Sequence, residues 1–346
     1  MTEDRAVRAS LVLCAMVAVL AAAFLARPII APVTFALFIV AVVYPLQGAL
    51  ERRIPKLLAL LLTLLATIAV ISVLAFLVVW AFGLVAQWLL NNTARFQALY
   101  TQATDWLDGH GVPAHTTMAS SFNPSWITGV VRDIGGKGAG ALSFIIITFA
   151  FTVLALLEVD VVRSSVNRLE SPKMREALLS PAQEISSKFQ KYMLVRSTMS
   201  LLTGAVVWAF ALTAGIELAT AWGVIAFVLN YIPFIGPLIA TVVPSLFALA
   251  QFESWQLAIG VFACLNFIQF FIGSYLEPRI AGKRLSLSPF MVLFAVFFWS
   301  FLWGMAGAFI GVPILIAVLT ICSEHEPTKW ISVLMSGGDG EKALRG

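Results

Sequence analysis

An all-α, polytopic membrane protein is the fold class this sequence predicts, and three observations carry the prediction. Of the 346 residues 60% are hydrophobic and only 12% charged, against about 25% charged in an average soluble domain. Mean hydropathy is +0.94. Several apolar runs reach the roughly 20 residues that cross about 30 Å of hydrocarbon, and Lys and Arg gather in alternate loops, as the positive-inside bias requires. Six to eight transmembrane segments are expected, two of them regions broken by proline and glycine.

The elements follow in order. Residues 10 to 26, SLVLCAMVAVLAAAFLA, meet Arg27-Pro28 and then a second apolar run, 28 to 44, so the pair reads as a helical hairpin rather than a cleaved signal. A span follows from 57 to about 86; carried on to residue 90 as one helix it would be roughly 50 Å long. In NNTARFQALYTQATDWLDGH, Phe96, Leu99, Tyr100, Trp106 and Leu107 fall near helical spacing, predicting an amphipathic helix, with HGVPAHTTMASSFNPS as a loop after it. A span is expected at 141 to 157. The charged stretch 160 to 192 has a helical pattern, with Ser171-Pro172 and Ser180-Pro181 as start signals. Further spans lie at 197 to 214 and 255 to 276, with broken regions at 218 to 250 and 288 to 323.

Loop charge orients the chain. With the N-terminus in the cytoplasm, Arg52, Arg53 and Lys56 fall inside, as do Arg163, Arg168, Lys173, Arg175, Lys188, Lys191 and Arg196, and then Arg279, Lys283 and Arg284. The charge-balanced segment 91 to 140 falls outside. This gives N-terminal helices at 1–90, an extracytoplasmic segment at 91–140, a helix with cytoplasmic amphipathic helices at 141–196, a core at 197–323 and a cytoplasmic tail at 324–346. A multi-pass protein of the cell inner membrane with both termini cytoplasmic is expected.

Unpaired backbone amides in hydrocarbon are costly, so broken helix at membrane depth is tolerated where protein or a water-filled cavity surrounds it. LNYIPFIGPLIATVVPSLFAL, residues 229 to 249, contains Asn230, Pro233, Gly236, Pro237 and Pro244. Its flanks, 218 to 229 and 238 to 250, are each about 18 Å as helix, which predicts a re-entrant hairpin turning at NYIPFIGP. SPFMVLFAVFFWSFLWGMAGAFIGVPILIAVLTI, residues 288 to 321, turns at Gly304 and Gly307 and carries Gly311 and Pro313 in its return arm. The charge pattern has the first hairpin entering from outside and the second from the cytoplasm, as in inverted-repeat transporters. Full spans merely kinked by proline are the alternative.

Polar residues inside these segments are the pathway candidates. Arg196 at the start of the fifth span either serves the pathway or snorkels to the interface. Glu277, beside Pro278 and Arg279, either pairs with a cation, carries a coupling proton or caps a loop. Asn230 and Gln269 either line a route or tie helices together. Glu217 and Glu253 read as solvated interface residues. Cys14, Cys264 and Cys322 have no C-x-x-C spacing, and His110 and His115 stand beside no ligand set, so no disulfide framework, metal or cofactor is implied. GGKGAG at 135 to 140 lacks the phosphate-loop spacing, Gly-x-Ser-x-Gly is absent, and an enzyme is not expected.

Three stretches together, NYIPFIGPLIATVVPSLFAL, YLEPRIAGKRLSLSPFMVL and FLWGMAGAFIGVPILIAVL, with KYMLVR and Gly204 before them, resemble the signature of the AI-2E family of autoinducer-2 exporters and PerM-like permeases. The resemblance is good from about 185 to 323 and generic in the N-terminal third. It implies a quorum-sensing exporter or a sodium/proton antiporter of the inner membrane, working as a homo-oligomer. The expected activity is secondary transport, as an exporter, of a small polar solute such as autoinducer-2, driven either by an H+ or Na+ gradient or by the solute's own gradient. Substrate is expected at the hairpin tips, near Asn230 to Pro237 and Gly304 to Gly311, with Gln269, Glu277 and Arg196 nearby. A passive channel and a non-transporting scaffold are the alternatives; no nucleic acid is expected as a partner.

Overall fold

The computed structural model describes residues 2–111, 125–281 and 287–335. Most of the HGVPAHTTMASSFNPS segment, His115 included, lies outside them, as do Lys283, Arg284 and the chain beyond residue 335. The described residues are helical throughout, with no strand among them: α1 Thr2–Leu25, α2 Arg27–Glu51, α3 Lys56–Asn91, α4 Thr93–Gly109, α5 Ser125–Asn167, α6 Pro172–Thr213, α7 Ala219–Leu229, α8 Ile235–Phe252, α9 Trp255–Phe270, α10 Glu277–Ala281, α11 Pro289–Trp303, α12 Met305–Glu324 and α13 Lys329–Met335. A π-helical segment, Phe271–Leu276, joins α9 to α10 without a break. Among the described residues seven helices are long and apolar enough to cross a membrane.

Several boundaries depart from the sequence expectation. Helix α5 takes in residues 125 to 140, including the glycine-rich GGKGAG, where propensity alone argues against helix. Ser180-Pro181 starts nothing. Pro181 sits buried inside the 42-residue α6, which also absorbs the span expected at 197 to 214. A proline in a helix interior costs about 3 kcal/mol, a local penalty that tertiary packing on both sides of it overrides. Glu277 lies within continuing helix rather than at its end.

The chain divides into two compact units, and the division falls inside α3, α5 and α6. The first unit comprises residues 1–65, 142–192 and 283–346. Its centre is aromatic: Phe35 of α2 meets Phe144 of α5 edge-on at 5.2 Å and stacks on Phe309 of α12 at 5.8 Å, while Phe38 meets Phe189 of α6 at 5.0 Å. Pro45 within α2 deprives the Ala41 carbonyl of its intrahelical donor. The Ser186 hydroxyl donates to that carbonyl at 2.5 Å, and Gln190, one turn along α6, donates to the Val42 carbonyl at 3.1 Å. At the end of α2 the Tyr44 hydroxyl donates to Asp160 at 2.8 Å, and Lys56 pairs with the same carboxylate.

The second unit comprises residues 66–141 and 193–282. Val85 and Trp88 of α3 pack with Val207, Trp222, Phe247 and Leu265. Trp88 lies 4.1 Å from Phe247, centroid to centroid. A collar of polar groups closes one end of this core. The Trp88 indole donates to the Glu217 carboxylate at 2.5 Å, Gln251 accepts from the Glu217 amide and donates to the Gly215 carbonyl, and Arg95 donates to the Gln251 carbonyl. Glu217 is thus exposed yet held, more than the solvated interface residue its sequence suggests.

Candidate transport site

The first broken region lies in the second unit, where α7 stops at Leu229 and α8 begins at Ile235. The Ile235 amide donates to the Pro233 carbonyl two residues back, at 2.7 Å, and Phe234 has φ 62° and ψ −54°. That is a γ-turn of the rare, strained hand. The turn then folds so tightly that a Cβ on Gly236 would lie 1.8 Å from the Leu229 carbonyl oxygen. Only glycine fits there. Pro237 falls in the first turn of α8, where its missing amide has no intrahelical role. The arms are 11 and 18 residues long, so α8, at roughly 27 Å by the helical rise, is longer than the 18 Å expected of it.

Helix α6 anchors this hairpin. Gly204 of α6 and Gly223 of α7 meet at the crossing: a Cβ on Gly204 would stand 2.7 Å from the Phe227 Cβ, and one on Gly223 2.6 Å from the Trp208 Cβ. Small residues permit that approach, as in membrane helix pairs generally. The Asn230 amide donates to the Ser200 hydroxyl at 3.1 Å, and the Tyr231 hydroxyl to Ser197 at 2.9 Å. Both tie the turn to α6. Asn230 is therefore a helix-to-helix tie in this structure.

Arg196 and Glu277, 81 positions apart, meet. One guanidinium nitrogen, Nη1, donates to both carboxylate oxygens at 2.9 and 3.0 Å, and the side chains are 9% and 28% exposed. Burial of a charge is tolerated when it is paired and hydrogen-bonded. The π-helical segment ends immediately before Glu277, and its Ile272 packs with Val195 and Met199 of α6. Single π turns inside helices are frequent at functional sites.

Gln269 lies two residues before the π segment, its Nε2 buried with no hydrogen-bond partner among the described residues. Its sequence neighbours gave no sign of that. Ser197, Ser200, Thr203 and Tyr231 were missed by sequence reading because hydroxyls in an apolar span are unremarkable singly. The signal available was periodic: Arg196, Ser200 and Thr203 recur at i, i+4 and i+7, one helical face.

The second broken region lies in the first unit. Helix α11 ends at Trp303, Gly304 has φ 65° and ψ −142°, and α12 begins at Met305. A Cβ on Gly307 would lie 1.7 Å from the Trp299 carbonyl oxygen, and one on Gly311 2.8 Å from that of Ala295. Pro313 is buried in the interior of α12. With 20 residues α12 is long enough to cross a membrane by itself. Gly304 and Gly307 thus shape this turn, and Gly311 and Pro313 lie in its return arm.

Buried ion pairing between membrane-type helices, beside a helix interrupted by a strained turn, belongs to multi-pass membrane proteins that move polar cargo. Comparison with known proteins narrows the class. The family model described as AI-2E family transporter matches residues 13–325, well beyond the C-terminal stretch that carried the resemblance. Over 324 residues the chain is 28% identical to the AI-2 transport protein TqsA of Escherichia coli, covering 90% of each. It is 27% identical over 331 residues to a putative transport protein of Haemophilus influenzae, covering 92% of this chain and 93% of that one. A putative transport protein of Borreliella burgdorferi is 30% identical over 201 residues, 58% of this chain and 56% of the relative. The chain belongs to the AI-2E transporter family; it is a multi-pass membrane transporter and not an enzyme.

Proposed function

We propose that this transporter exports a small polar solute, autoinducer-2 first among the candidates, and that Glu277 couples export to H+ or Na+. The observation that carries this reading is the Arg196–Glu277 pair: a buried guanidinium with a carboxylate that is one-quarter exposed. A purely structural pair gains little from leaving its carboxylate only partly enclosed by protein. A carboxylate that must exchange a proton or a cation needs that access. The name of the Escherichia coli relative supplies the solute, and the scaffold alternative gives way to the family assignment. A cytoplasmic N-terminus follows from the Lys and Arg bias, and self-association from the family resemblance.

Purified protein in proteoliposomes gives the test. Autoinducer-2 flux is measured with imposed pH or sodium gradients for the native chain and Glu277→Gln. Gradient-dependent flux lost in Glu277→Gln is the expected result. Flux equal with and without gradients, and unaltered in the variant, would mean a passive channel.

A further inference from the structure

Two orphaned polar groups lie beyond the ion pair. Thr203 is fully buried and its hydroxyl has no hydrogen-bond partner among the described residues; the same holds for the amide nitrogen of Gln269. Buried polar atoms are almost always satisfied, so each one left over calls for a missing partner. A threonine in a helix ordinarily answers its own need by donating to the carbonyl four residues back, as Thr152, Thr198, Thr213 and Thr320 do in this chain. Thr203 does not.

Helical register puts the two orphans at one level. Helices α6 and α9 run antiparallel: Arg196 meets Glu277, and further along, Leu202 and Val206 pack in the same cluster as Ile268 and Ile272. Thr203 lies seven residues beyond Arg196, about two turns and roughly 10 Å, on the same face. Gln269 lies eight residues before Glu277. In an unbroken α-helix eight residues overshoot two turns by about 80°, which would carry Gln269 off the Glu277 face. The π segment at 271–276 lies between them, and its wider turn takes up the excess residue. By this register the two faces that make the ion pair are expected to meet again two turns on, at Thr203 and Gln269.

We infer that Thr203 and Gln269 form a second station on the pathway, a binding subsite for a neutral hydroxyl- or carbonyl-bearing solute. The amide nitrogen donates to a solute oxygen, and the threonine hydroxyl donates or accepts as the solute presents itself. Neither group carries charge, so the station selects oxygen-rich neutral cargo, while charge is handled at Arg196–Glu277. The inference rests on the transport reading above and adds the class of solute the route accepts.

The test is saturable autoinducer-2 uptake by the full chain in proteoliposomes, for Thr203→Val, Thr203→Ser, Gln269→Leu and Glu277→Gln. Loss of one neutral hydrogen bond to the solute should raise KM roughly three- to tenfold, for Thr203→Val and Gln269→Leu, with maximal rate little changed. Thr203→Ser, which keeps the hydroxyl, should match the native chain and controls for folding. If Thr203→Val and Gln269→Leu keep the native KM while Glu277→Gln abolishes transport, the subsite is refuted and the pathway stands. If none of the variants alters uptake, both readings fall.

Discussion

Removing Glu277 and removing Arg196 should not cost the same, although each breaks the same pair. Glu277→Leu leaves a guanidinium that is 9% exposed without its anion. Stranding a buried charge costs about 3–5 kcal/mol, and the incomplete enclosure of the Glu277 position by protein sets the value near the lower end, about 3 kcal/mol. Arg196→Met keeps the apolar stem and leaves a carboxylate that is 28% exposed. Protein encloses that carboxylate only in part, so the loss is that of a charged hydrogen bond, about 1.5–2 kcal/mol. The double replacement removes both charges and should return to within about 1 kcal/mol of the native chain. Unfolding in mixed micelles with added sodium dodecyl sulfate, followed by tryptophan fluorescence, measures all four proteins. Flux in proteoliposomes completes the experiment: the double variant should fold and not transport. Equal penalties for the two single changes, or a double variant as unstable as their sum, would refute the argument from unequal burial.

Gly236→Ala and Gly307→Ala each drive a Cβ to within 2 Å of a carbonyl oxygen and should sharply reduce folded yield in detergent, whereas Gly260→Ala and Gly273→Ala meet open space and should be neutral or stabilise by about 0.4–1 kcal/mol. Ser186→Ala orphans the Ala41 carbonyl and should cost about 1–2 kcal/mol; in a Pro45→Ala background, where the helix supplies its own amide, the same change should be nearly silent, and a double-mutant cycle in micelles reads the difference. Phe234→Gly relaxes a backbone held at φ 62° and should be tolerated or stabilising by about 1 kcal/mol, whereas Phe234→Val at that φ should lower thermal stability.

The existence of the spans was legible because length and hydropathy leave few alternatives for runs such as 57 to 86, and the two breaks were legible because proline and glycine act locally. What the sequence hid was long-range or cooperative. Nothing near Pro181 announces that α6 runs through it, since the packing of Phe189 on Phe38 that holds this helix comes from α2. GGKGAG reads as a breaker and is helix, because propensity is summed against neighbours on both sides. Arg196 and Glu277 were each visible as a charge at the edge of an apolar run, but their meeting depends on a fold that brings 81 residues back, and Glu277 is aimed by a π turn that FIGSYL does not betray. Hydroxyls at Ser197 and Ser200 gain meaning only when Tyr231 and Asn230 are known to stand opposite α6.

The two breaks also change what argues for a polar route. Interrupted helix at membrane depth suggests freed backbone groups waiting for water or substrate, yet much of the first turn is paired within itself: the amides of Tyr231, Ile232, Ile235 and Gly236 reach the carbonyls of Val228, Leu229, Pro233 and Ile232. At the second turn the Gly304 amide reaches Ser300 and the Ala308 amide reaches Gly304. Each tip is a tight backbone turn, made possible by a glycine lying against a carbonyl seven or eight residues earlier. With so many of its groups paired at home, such a turn establishes a place where the chain reverses, and proline and glycine alone say little about what passes it. The weight moves to side chains whose needs the fold leaves open, a buried guanidinium answered by a carboxylate that protein encloses only in part, and the Thr203 hydroxyl and Gln269 amide nitrogen, buried with no hydrogen-bond partner among the described residues. Polar side chains placed where hydrocarbon would serve packing better are costly, and that cost is what a passing solute would explain.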